Sequence, residues 1–296
     1  MEDMIRLAVL ADVHSNLAAL DACLSDAKRF NVRCYLFAGD LVSDWHQPNE
    51  VIRRIESVSE HVIRGNREEY MIGRRNGDFA GIWSRYAQFA SLAWTYEALS
   101  SQDLDYLETL PAQMHIPVND TYSIRMVHGS VFKSNELLYM RDGNAAVKPS
   151  LDAIRENILI FAHSHEQWQT TVDGKIAVNP GSVGVHFNKK RGAEYCILEF
   201  TPYSMNVIFR QVPYDLAKYA AAYCKTDLYE KAYVWFLINY LGMYTGYNYV
   251  PAFFKSIEQE RKVSDLSTKG PIPNDIWYGV FEEQYSRRAM QLFLGN

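Results

Sequence analysis

The sequence has few cysteines and no paired-cysteine motif. Its 296 residues include four cysteines, Cys23, Cys34, Cys196 and Cys224. None forms a C-x-x-C pair, and Cys23, Cys34 and Cys196 stand among apolar residues, as small core side chains do. The sequence therefore offers no disulfide framework, and we expect a reducing compartment.

An excess of positive charge and a long apolar run are also missing. The 30 Lys and Arg residues against 35 Asp and Glu residues leave a net charge of −5, which gives no general attraction for nucleic acid or anionic lipid. No stretch approaches the roughly 18 apolar residues of a membrane-spanning helix, and residues 1–4 lack the basic, apolar start of a signal peptide. We expect a cytoplasmic protein with no membrane or nucleic-acid partner. An anionic substrate would then need a local positive charge, such as a metal cluster.

The first 66 residues alternate short apolar runs with amphipathic stretches. Apolar runs at 5–11, 34–38 and 61–63 predict strands, and the stretches between them, through about residues 30 and 58, predict helices. This order is typical of a parallel sheet with crossover helices. Polar residues follow all three runs, at the edge where open α/β sheets bind ligands.

The rest of the chain changes character twice. Residues 83–109 predict helix, with Ser100 or Ser101 as a cap, and strand patterns follow. The strands are predicted at 121–127, 158–161, 168–172, 176–178, 194–200 and 205–212. Residues after Pro213 hold 11 of the 20 tyrosines and show helical patterns near 214–225, 227–242, 251–261 and 273–293. We predict a domain at 1–212 and a helical extension at 213–296 packed on it.

Five short polar segments each come directly after an apolar run. They are Asp12-x-His14, Gly39-Asp40, Gly65-Asn66, His128-Gly129 and His163-x-His165. Together they supply two carboxylates, one amide oxygen and four imidazoles, a ligand set for two divalent metals such as Mn, Fe, Zn or Ni. One such segment means little, but five at strand ends indicate a metal site.

These segments resemble the calcineurin-like metallophosphoesterase superfamily, whose pattern is D-x-H, G-D, G-N-H-[DE], H and G-H-x-H in that order. The loop at 179–184 is similar to the compact bacterial branch that contains small phosphodiesterases, and the resemblance covers about residues 4–212. It implies a mixed α/β fold, a four-layer αββα sandwich, here with the helical extension added. The ligand sets it implies are Asp12, His14 and His165 for one metal, Asn66, His128 and His163 for the other, and Asp40 as the bridge.

The expected activity is that of a dinuclear-metal-dependent phosphoesterase, with Mn²⁺ as the first choice of metal. Two such ions share a bridging hydroxide that attacks phosphorus in line. Two divalent ions against the carboxylates of Asp12 and Asp40 leave a charge of about +2, which suits a small anionic phosphoester. Asn66, Arg67 and His128 are the expected catalytic residues.

Arg67 departs from the family pattern, which has His at this position. Arginine cannot release a proton to a leaving oxygen, because its pKa stays above about 12, but it can brace a phosphate with its forked donors. We therefore expect leaving groups that need no proton, such as nucleoside phosphates or aryl oxides, and phosphoanhydrides such as diadenosine polyphosphates. Ala162 for Gly is a second, milder departure.

Several less specific interpretations stay open from the residues alone. Asp12 can cap the following helix, Arg67 can pair with Glu68 or Glu69 at the surface, and His128 can be a core histidine. His163 and His165, if they lie on one strand, point the same way, which is hard to explain without metal. Lys189, Lys190 and Arg191 touch substrate or only solvent, and the late tyrosines stack on a base or pack.

Two other functions also fit this fold. A serine/threonine phosphoprotein phosphatase normally has a D-R-G segment after G-D, whereas Leu41 to Trp45 follow here. A non-catalytic scaffold normally loses ligands, whereas all seven ligand types are present. Both alternatives are therefore weaker than a phosphodiesterase or nucleotide pyrophosphohydrolase.

Overall fold

The computed structural model describes residues 4–79, 81–201, 203–264 and 266–294 and contains two five-stranded sheets. The strands are β1 (Ile5–Leu10), β2 (Cys34–Ala38), β3 (His61–Ile63), β4 (Gln113–Pro117), β5 (Ser123–Val127), β6 (Ile158–Ile160), β7 (Gln167–Val172), β8 (Lys175–Pro180), β9 (Gly192–Phe200) and β10 (Met205–Pro213). The sheets have the orders β10-β9-β1-β2-β3 and β4-β5-β6-β8-β7. Strands β1, β2 and β3 are parallel, as the alternating pattern predicts.

Twelve α-helices lie in the described part of the chain. They are α1 (Leu17–Lys28), α2 (Pro48–Glu56), α3 (Asn66–Arg75), α4 (Ile82–Arg85), α5 (Ala90–Ala98), α6 (Ser101–Thr109), α7 (Asn144–Ala153), α8 (Leu216–Tyr223), α9 (Asp227–Thr245), α10 (Val250–Val263), α11 (Asn274–Gln284) and α12 (Ser286–Leu294). The predicted cap Ser100 starts α6 by accepting from the Asp103 N–H at 3.0 Å. Among the residues described, no helix combines the length and apolar character needed to cross a bilayer.

Alternating side chains of each sheet build a layered core. Leu7 and Val9 of β1 pack with side chains of the second sheet, such as Ile158, so the sheets face each other. Ala8 of β1 faces the opposite way, onto helices α1, α2, α5 and α6. Leu159 of β6 faces outward onto α7. The layers run helix, sheet, sheet, helix, and the mixed αββα sandwich is confirmed.

Some predicted elements have different boundaries in the structure. Residues 83–109 do not form one helix but α4, a short 3₁₀ turn at Ala87–Phe89, α5 and α6, since Tyr86 and Leu99 adopt extended backbone. The stretch at 273–293 divides into α11 and α12 at Tyr285. Helices α3 and α7 and strand β4 were not predicted. Helix α3 has Met71 as its one buried apolar side chain, so its sequence carries little helical periodicity.

Helices α8 to α12 share one apolar cluster with residues of the sandwich. Trp45 and Val185 belong to this cluster, and Phe187 packs against it. Tyr219, Tyr223 and Tyr240 of these helices are buried in it. Packing therefore explains these tyrosines, and the cluster attaches the C-terminal helices near the loops that follow the strands. The boundary at residue 212 stays a prediction.

Candidate metal centre

Three of the predicted segments lie at the carboxyl end of the first sheet. Asp12 and His14 follow β1, Asp40 follows β2 and Asn66 follows β3. The Asp12 N–H donates to the Gly39 carbonyl at 3.0 Å, and the His14 N–H donates to the Asp40 carbonyl at 3.0 Å. These bonds hold the two loops together, so three parallel strands bring their polar ends to one edge.

The other two predicted segments lie at the second sheet and carry three histidines. His128 follows β5, and His163 and His165 follow β6. The expectation that His163 and His165 share a strand is wrong, because β6 ends at Ile160 and both histidines have left-handed backbone, with φ of 66° and 56°. Such a conformation is uncommon for residues other than glycine. The turn sends the two imidazoles into different groups of side chains.

The structure brings all seven predicted ligand residues together in two adjoining groups. In each group, one ligand atom from every member lies within 4.8 Å of the others, and the groups are Asp12, His14 and His165, and Asp40, His128 and His163. Asn66 joins the second group, with its Oδ1 3.2 Å from Nε2 of His128. The family resemblance implies a similar division, except that it gives Asp40 to both metals, and the role of these residues as ligands stays a prediction.

Asp40 belongs to the second group and also approaches the first. Its Oδ1 is 3.3 Å from Nε2 of His128, and its Oδ2 is 3.9 Å from Nε2 of His14. In the first group, Nε2 of His165 lies 3.2 Å from Nε2 of His14 and 3.4 Å from Oδ1 of Asp12. Tetrahedral ligands at about 2.1 Å from a cation are roughly 3.4 Å apart. The spacing of the donor atoms therefore suits a cation in each group.

Hydrogen bonds at the far ring nitrogens point two imidazoles inward. Nδ1 of His128 donates to the Ala38 carbonyl at 2.7 Å, and Nδ1 of His165 donates to the Val185 carbonyl at 2.6 Å. A carbonyl oxygen only accepts, so Nδ1 carries a proton and Nε2 is the ring nitrogen that faces the other donor atoms. The Asp12 Oδ1 atom is buried without a hydrogen bond. Nitrogen and oxygen atoms that converge in this way fit bound cations.

The buried carboxylates favour positive charge at the same place. Burial by itself lowers the pKa of His128, but the charges of Asp40 and Asp12 outweigh it and raise that pKa to about 10. Burial likewise raises the pKa of each carboxyl, but the neighbouring imidazoles hold the pKa of both Asp12 and Asp40 below its usual range. His163 differs, because burial lowers its pKa to about 4. The centre thus attracts cations although the protein is acidic overall.

Glu68 holds the loops that carry Asp40 and Asn66. This buried carboxylate accepts from the backbone N–H groups of Asp40 at 2.9 Å, Leu41 at 2.8 Å, Val42 at 3.2 Å and Gly65 at 2.7 Å. Burial and the nearby charge of Asp40 raise the pKa of Glu68 to about 7. Glu68 is not among the residues predicted for the site, although it occupies the [DE] position of the family pattern.

Asp44 is a second buried carboxylate that the sequence did not single out. Its Oδ2 lies 3.1 Å from Nδ1 of His14, and its Oδ1 accepts from Nε1 of Trp235 at 2.9 Å. Burial raises the pKa of Asp44, but the charge of Arg67 and then that of His14 hold it well below its usual range. Asp44 thus links a predicted ligand to helix α9. No local pattern marks it, because its partners are distant in the chain.

Arg67 does not form the surface pair with Glu68 or Glu69 that stayed open from the sequence. Its Nη2 donates to Asp44 Oδ2 at 3.4 Å, its Nε lies 3.9 Å from Asp40 Oδ2, and 19% of its side chain is exposed. The helix cap expected of Asp12 is instead made by Asn16, which accepts from the Ala19 N–H. Both findings place Asp12 and Arg67 at the centre.

A pocket of about 170 Å³, here called the metal-side pocket, opens above the two groups. His14, Asp40 and Arg67 line it from the sandwich, and Trp235 and Asn239 line it from helix α9. The pocket therefore has one wall from each part of the chain. No sequence pattern singled out Trp235 or Asn239 for the site, although stacking of the late tyrosines on a base stayed open.

The other polar residues considered from the sequence lie outside the two groups. His115 is largely exposed and pairs with Glu156 at 2.8 Å. Lys189, Lys190 and Arg191 are exposed, and Arg191 lies over the ring of Tyr244 at 3.8 Å. None of these residues lines the metal-side pocket.

The sandwich and its two ligand groups define a metal-dependent hydrolase of phosphoesters. The sequence profile described as the calcineurin-like phosphoesterase superfamily domain matches residues 5–202, and the chain belongs to this superfamily. It is therefore a metal-dependent phosphoester hydrolase.

The chain is also similar to individual proteins. An uncharacterised protein of Methanocaldococcus jannaschii is 27% identical over 229 residues, covering 72% of this chain and 89% of that protein. The crystal structure of a metallophosphoesterase from Sphaerobacter thermophilus is similar with a TM-score of 0.59 and 25% identity, over 78% of this chain and 99% of that one. A hypothetical protein from Pyrococcus horikoshii OT3 shares the fold with a TM-score of 0.65 and 22% identity, over 74% of this chain and 92% of that one.

Proposed function

We propose that this hydrolase binds two divalent cations, with Mn²⁺ as the first choice, and cleaves phosphodiester or phosphoanhydride bonds of small substrates such as nucleotides. The observation that carries the proposal is the position of Asp40, whose two oxygens lie 3.3 Å and 3.9 Å from imidazoles of different groups. One carboxylate can therefore serve both cations. The proposed ligands are Asp12, His14 and His165 for one cation and Asn66, His128 and His163 for the other, with Asp40 shared.

When bound, two divalent cations lower the pKa of a water molecule and neutralise phosphate oxygens. The chain's own residues orient what binds there. His128 and His165 are fixed by hydrogen bonds to backbone carbonyls, so their Nε2 atoms stay in place. Arg67 lines the pocket and can direct guanidinium donors at a phosphate oxygen. Asn66, Arg67 and His128 are thus the proposed catalytic residues.

The shape of the site supports a small substrate. The metal-side pocket is about 170 Å³ and is walled by Trp235 and Asn239 opposite the ligands. A phosphate with a compact organic group enters such a pocket more readily than a loop of a folded phosphoprotein does. Diadenosine polyphosphates fit the requirement for a leaving group that needs no proton. A cytoplasmic location stays a prediction.

Metal analysis and a substrate panel test this function. We expect close to two metal ions per chain after loading with Mn²⁺, and hydrolysis of aryl diesters and diadenosine polyphosphates faster than of alkyl monoesters. Asp40→Asn should lower kcat/KM by about a hundredfold or more, because one shared ligand is weakened. His115→Gln is the matched control, since His115 lies outside both groups, and it should keep full activity.

The other outcomes separate the alternatives. A scaffold would hold much less than one metal ion per chain and cleave no ester. A phosphoprotein phosphatase would prefer phosphoserine peptides to every nucleotide tested. Full activity and two bound metals in Asp40→Asn would refute the shared-ligand arrangement.

A further inference from the structure

The metal-side pocket lies beside a larger cavity, here called the adjoining cleft. The cleft has a volume of about 580 Å³, within the range of roughly 300–1,000 Å³ that is usual for small-molecule sites. Six residues line both spaces, namely Tyr139, Ser164, His165, Phe187, Asn248 and Pro251. Because His165 is one of them, the cleft begins at a member of the first ligand group. A group attached to phosphorus at the metals could extend into it.

Aromatic rings line this cleft from three separate segments of the chain. Tyr139 comes before α7, Phe187 follows β8, and Tyr247 lies between α9 and α10. Phe187 is stacked near His165, with 5.9 Å between the ring centroids and 17° between the planes. Tyr247 is 57% exposed. An exposed tyrosine ring at the cleft can stack on another aromatic group.

Polar groups accompany the rings. The guanidinium of Arg141 lies 4.0 Å from the ring centroid of Tyr139, and Asn248 carries an amide in the cleft wall. An arginine can meet a further phosphate, while amides can hydrogen-bond the edge of a base. The combination differs from a purely apolar groove, which would suit an acyl chain.

We propose that the adjoining cleft is a binding subsite for the nucleoside or other aromatic group of the substrate, with Tyr247 as a stacking residue. This inference rests on the proposed function, since it assumes that phosphorus binds between the two ligand groups. In this arrangement, Tyr247 of the C-terminal region helps to select the substrate. The phosphate binds at the metals, and the aromatic group lies against Tyr139, Phe187 and Tyr247.

Binding of AMP and of inorganic phosphate to the Mn²⁺-loaded protein tests the subsite without requiring turnover. Stacking of one base on an aromatic side chain contributes about 1–3 kcal/mol. We expect AMP to bind at least tenfold more tightly than phosphate. Tyr247→Ala should weaken AMP binding about tenfold and leave phosphate binding unchanged, whereas Tyr247→Phe should retain AMP binding.

Tyr203→Ala is the matched control. Tyr203 is 85% exposed and lies in the β9–β10 turn, which adjoins the start of β1 and not its carboxyl end. This variant should bind both ligands like the parent. Equal affinity of the parent for AMP and phosphate would overturn the subsite, and so would a Tyr247→Ala variant that keeps its AMP affinity or weakens phosphate binding equally.

The same experiment separates this inference from the proposed function. If the protein hydrolyses phosphoesters but gains nothing from the base, the subsite is wrong and the function stands. If AMP binds through Tyr247 but no ester is cleaved, the subsite stands and the proposed function is wrong.

Discussion

The position of Arg67 in the site is set by two neighbouring carboxylates. The side chain lies between Asp44 and Asp40, at the position where the family pattern has histidine. A guanidinium keeps its charge there, because the two carboxylates favour the charged form. The site therefore has a fixed cation where the family pattern has a group that can release a proton.

Arg67→His should change which esters are cleaved. Histidine can protonate an alkoxide leaving group, whereas arginine cannot. We expect kcat/KM for alkyl esters to rise about tenfold or more and that for aryl esters to fall, because the guanidinium contact with phosphate is lost. Steady-state kinetics on paired aryl and alkyl esters measure this ratio. An unchanged ratio would show that Arg67 has no influence on the leaving group.

Elements of the fold are joined to the centre through backbone contacts as well as side chains. Glu68 belongs to α3 and accepts four backbone N–H groups from the loops after β2 and β3. The carboxylate therefore joins the helix and both loops into one hydrogen-bonded unit. Because Asp40 and Asn66 lie in those loops, the positions of these two predicted ligands depend on this carboxylate.

Glu68→Gln should loosen that unit. A neutral amide replaces one accepting oxygen with a donor, which opposes the N–H groups and should cost about 1–3 kcal/mol of unfolding free energy. Mn²⁺ affinity should fall about 10–100-fold, as it does for outer-shell partners of ligands. Calorimetry with Mn²⁺ and denaturant unfolding measure both effects. Glu69→Gln is the control, because the partly exposed carboxylate of Glu69 contacts only Ser134 and Arg64 among the residues described. This variant should show neither the loss of stability nor the loss of Mn²⁺ affinity.

Helix α1 is tied to the first sheet through Asp26. Its carboxylate accepts from Arg210 of β10 at 2.8 Å and 3.0 Å and from the Tyr195 hydroxyl of β9 at 2.8 Å. Burial raises the pKa of Asp26, but these hydrogen bonds outweigh it and hold the pKa below its usual value. The ionised form therefore stabilises the fold.

Asp26→Asn should lower the unfolding free energy at pH 7 by about 1–3 kcal/mol. Because the folded pKa is depressed, the contribution is complete above the unfolded pKa of about 3.9 and is lost as pH falls through the folded value. The difference from the parent should stay constant from pH 7 to pH 5 and shrink below pH 4 in urea titrations. Asp21→Asn is the control, since its pair with Arg54 is exposed and should contribute less than about 1 kcal/mol.

At the scale of the whole molecule, two tryptophan side chains hydrogen-bond across the boundary between helix α9 and the earlier part of the chain. Trp235 of α9 donates to Asp44 at 2.9 Å, and Trp94 of α5 donates to Asp227 of α9 at 2.8 Å. Only the first contact reaches a residue that also contacts His14. Substituting each tryptophan in turn therefore separates two effects, attachment of the C-terminal helices and support of the metal centre.

Trp235→Phe should lower kcat/KM severalfold to tenfold while the melting temperature changes little, because Asp44 loses one of the donors that orient it toward His14. Trp94→Phe removes an equivalent bond away from the pocket and should leave activity intact. Kinetics and thermal melts of both variants test this. Equal effects of the two substitutions would mean that the helices act on activity only through general packing.

Local patterns in the sequence predicted the parallel strands β1, β2 and β3 and the seven candidate ligand types, whereas the sandwich was implied by the family resemblance. Each of these patterns depends on residues close together in the chain, since an apolar run fixes a strand and the polar residue after it lies at the sheet edge. The same reasoning failed for His163 and His165, because the backbone turns out of the strand before them. It also failed for α3, whose few apolar residues give no periodic signal.

Only the tertiary structure decided which polar groups support those ligands. Asp44 meets Trp235 across 191 positions, and the adjoining cleft combines residues from Tyr139 to Pro251. Such contacts depend on how distant segments pack, and their energies come from burial and hydrogen bonds that no local pattern encodes. The sequence alone determined the chemistry of the centre, while three-dimensional packing determined its supporting carboxylates, its C-terminal wall and the space left for a substrate.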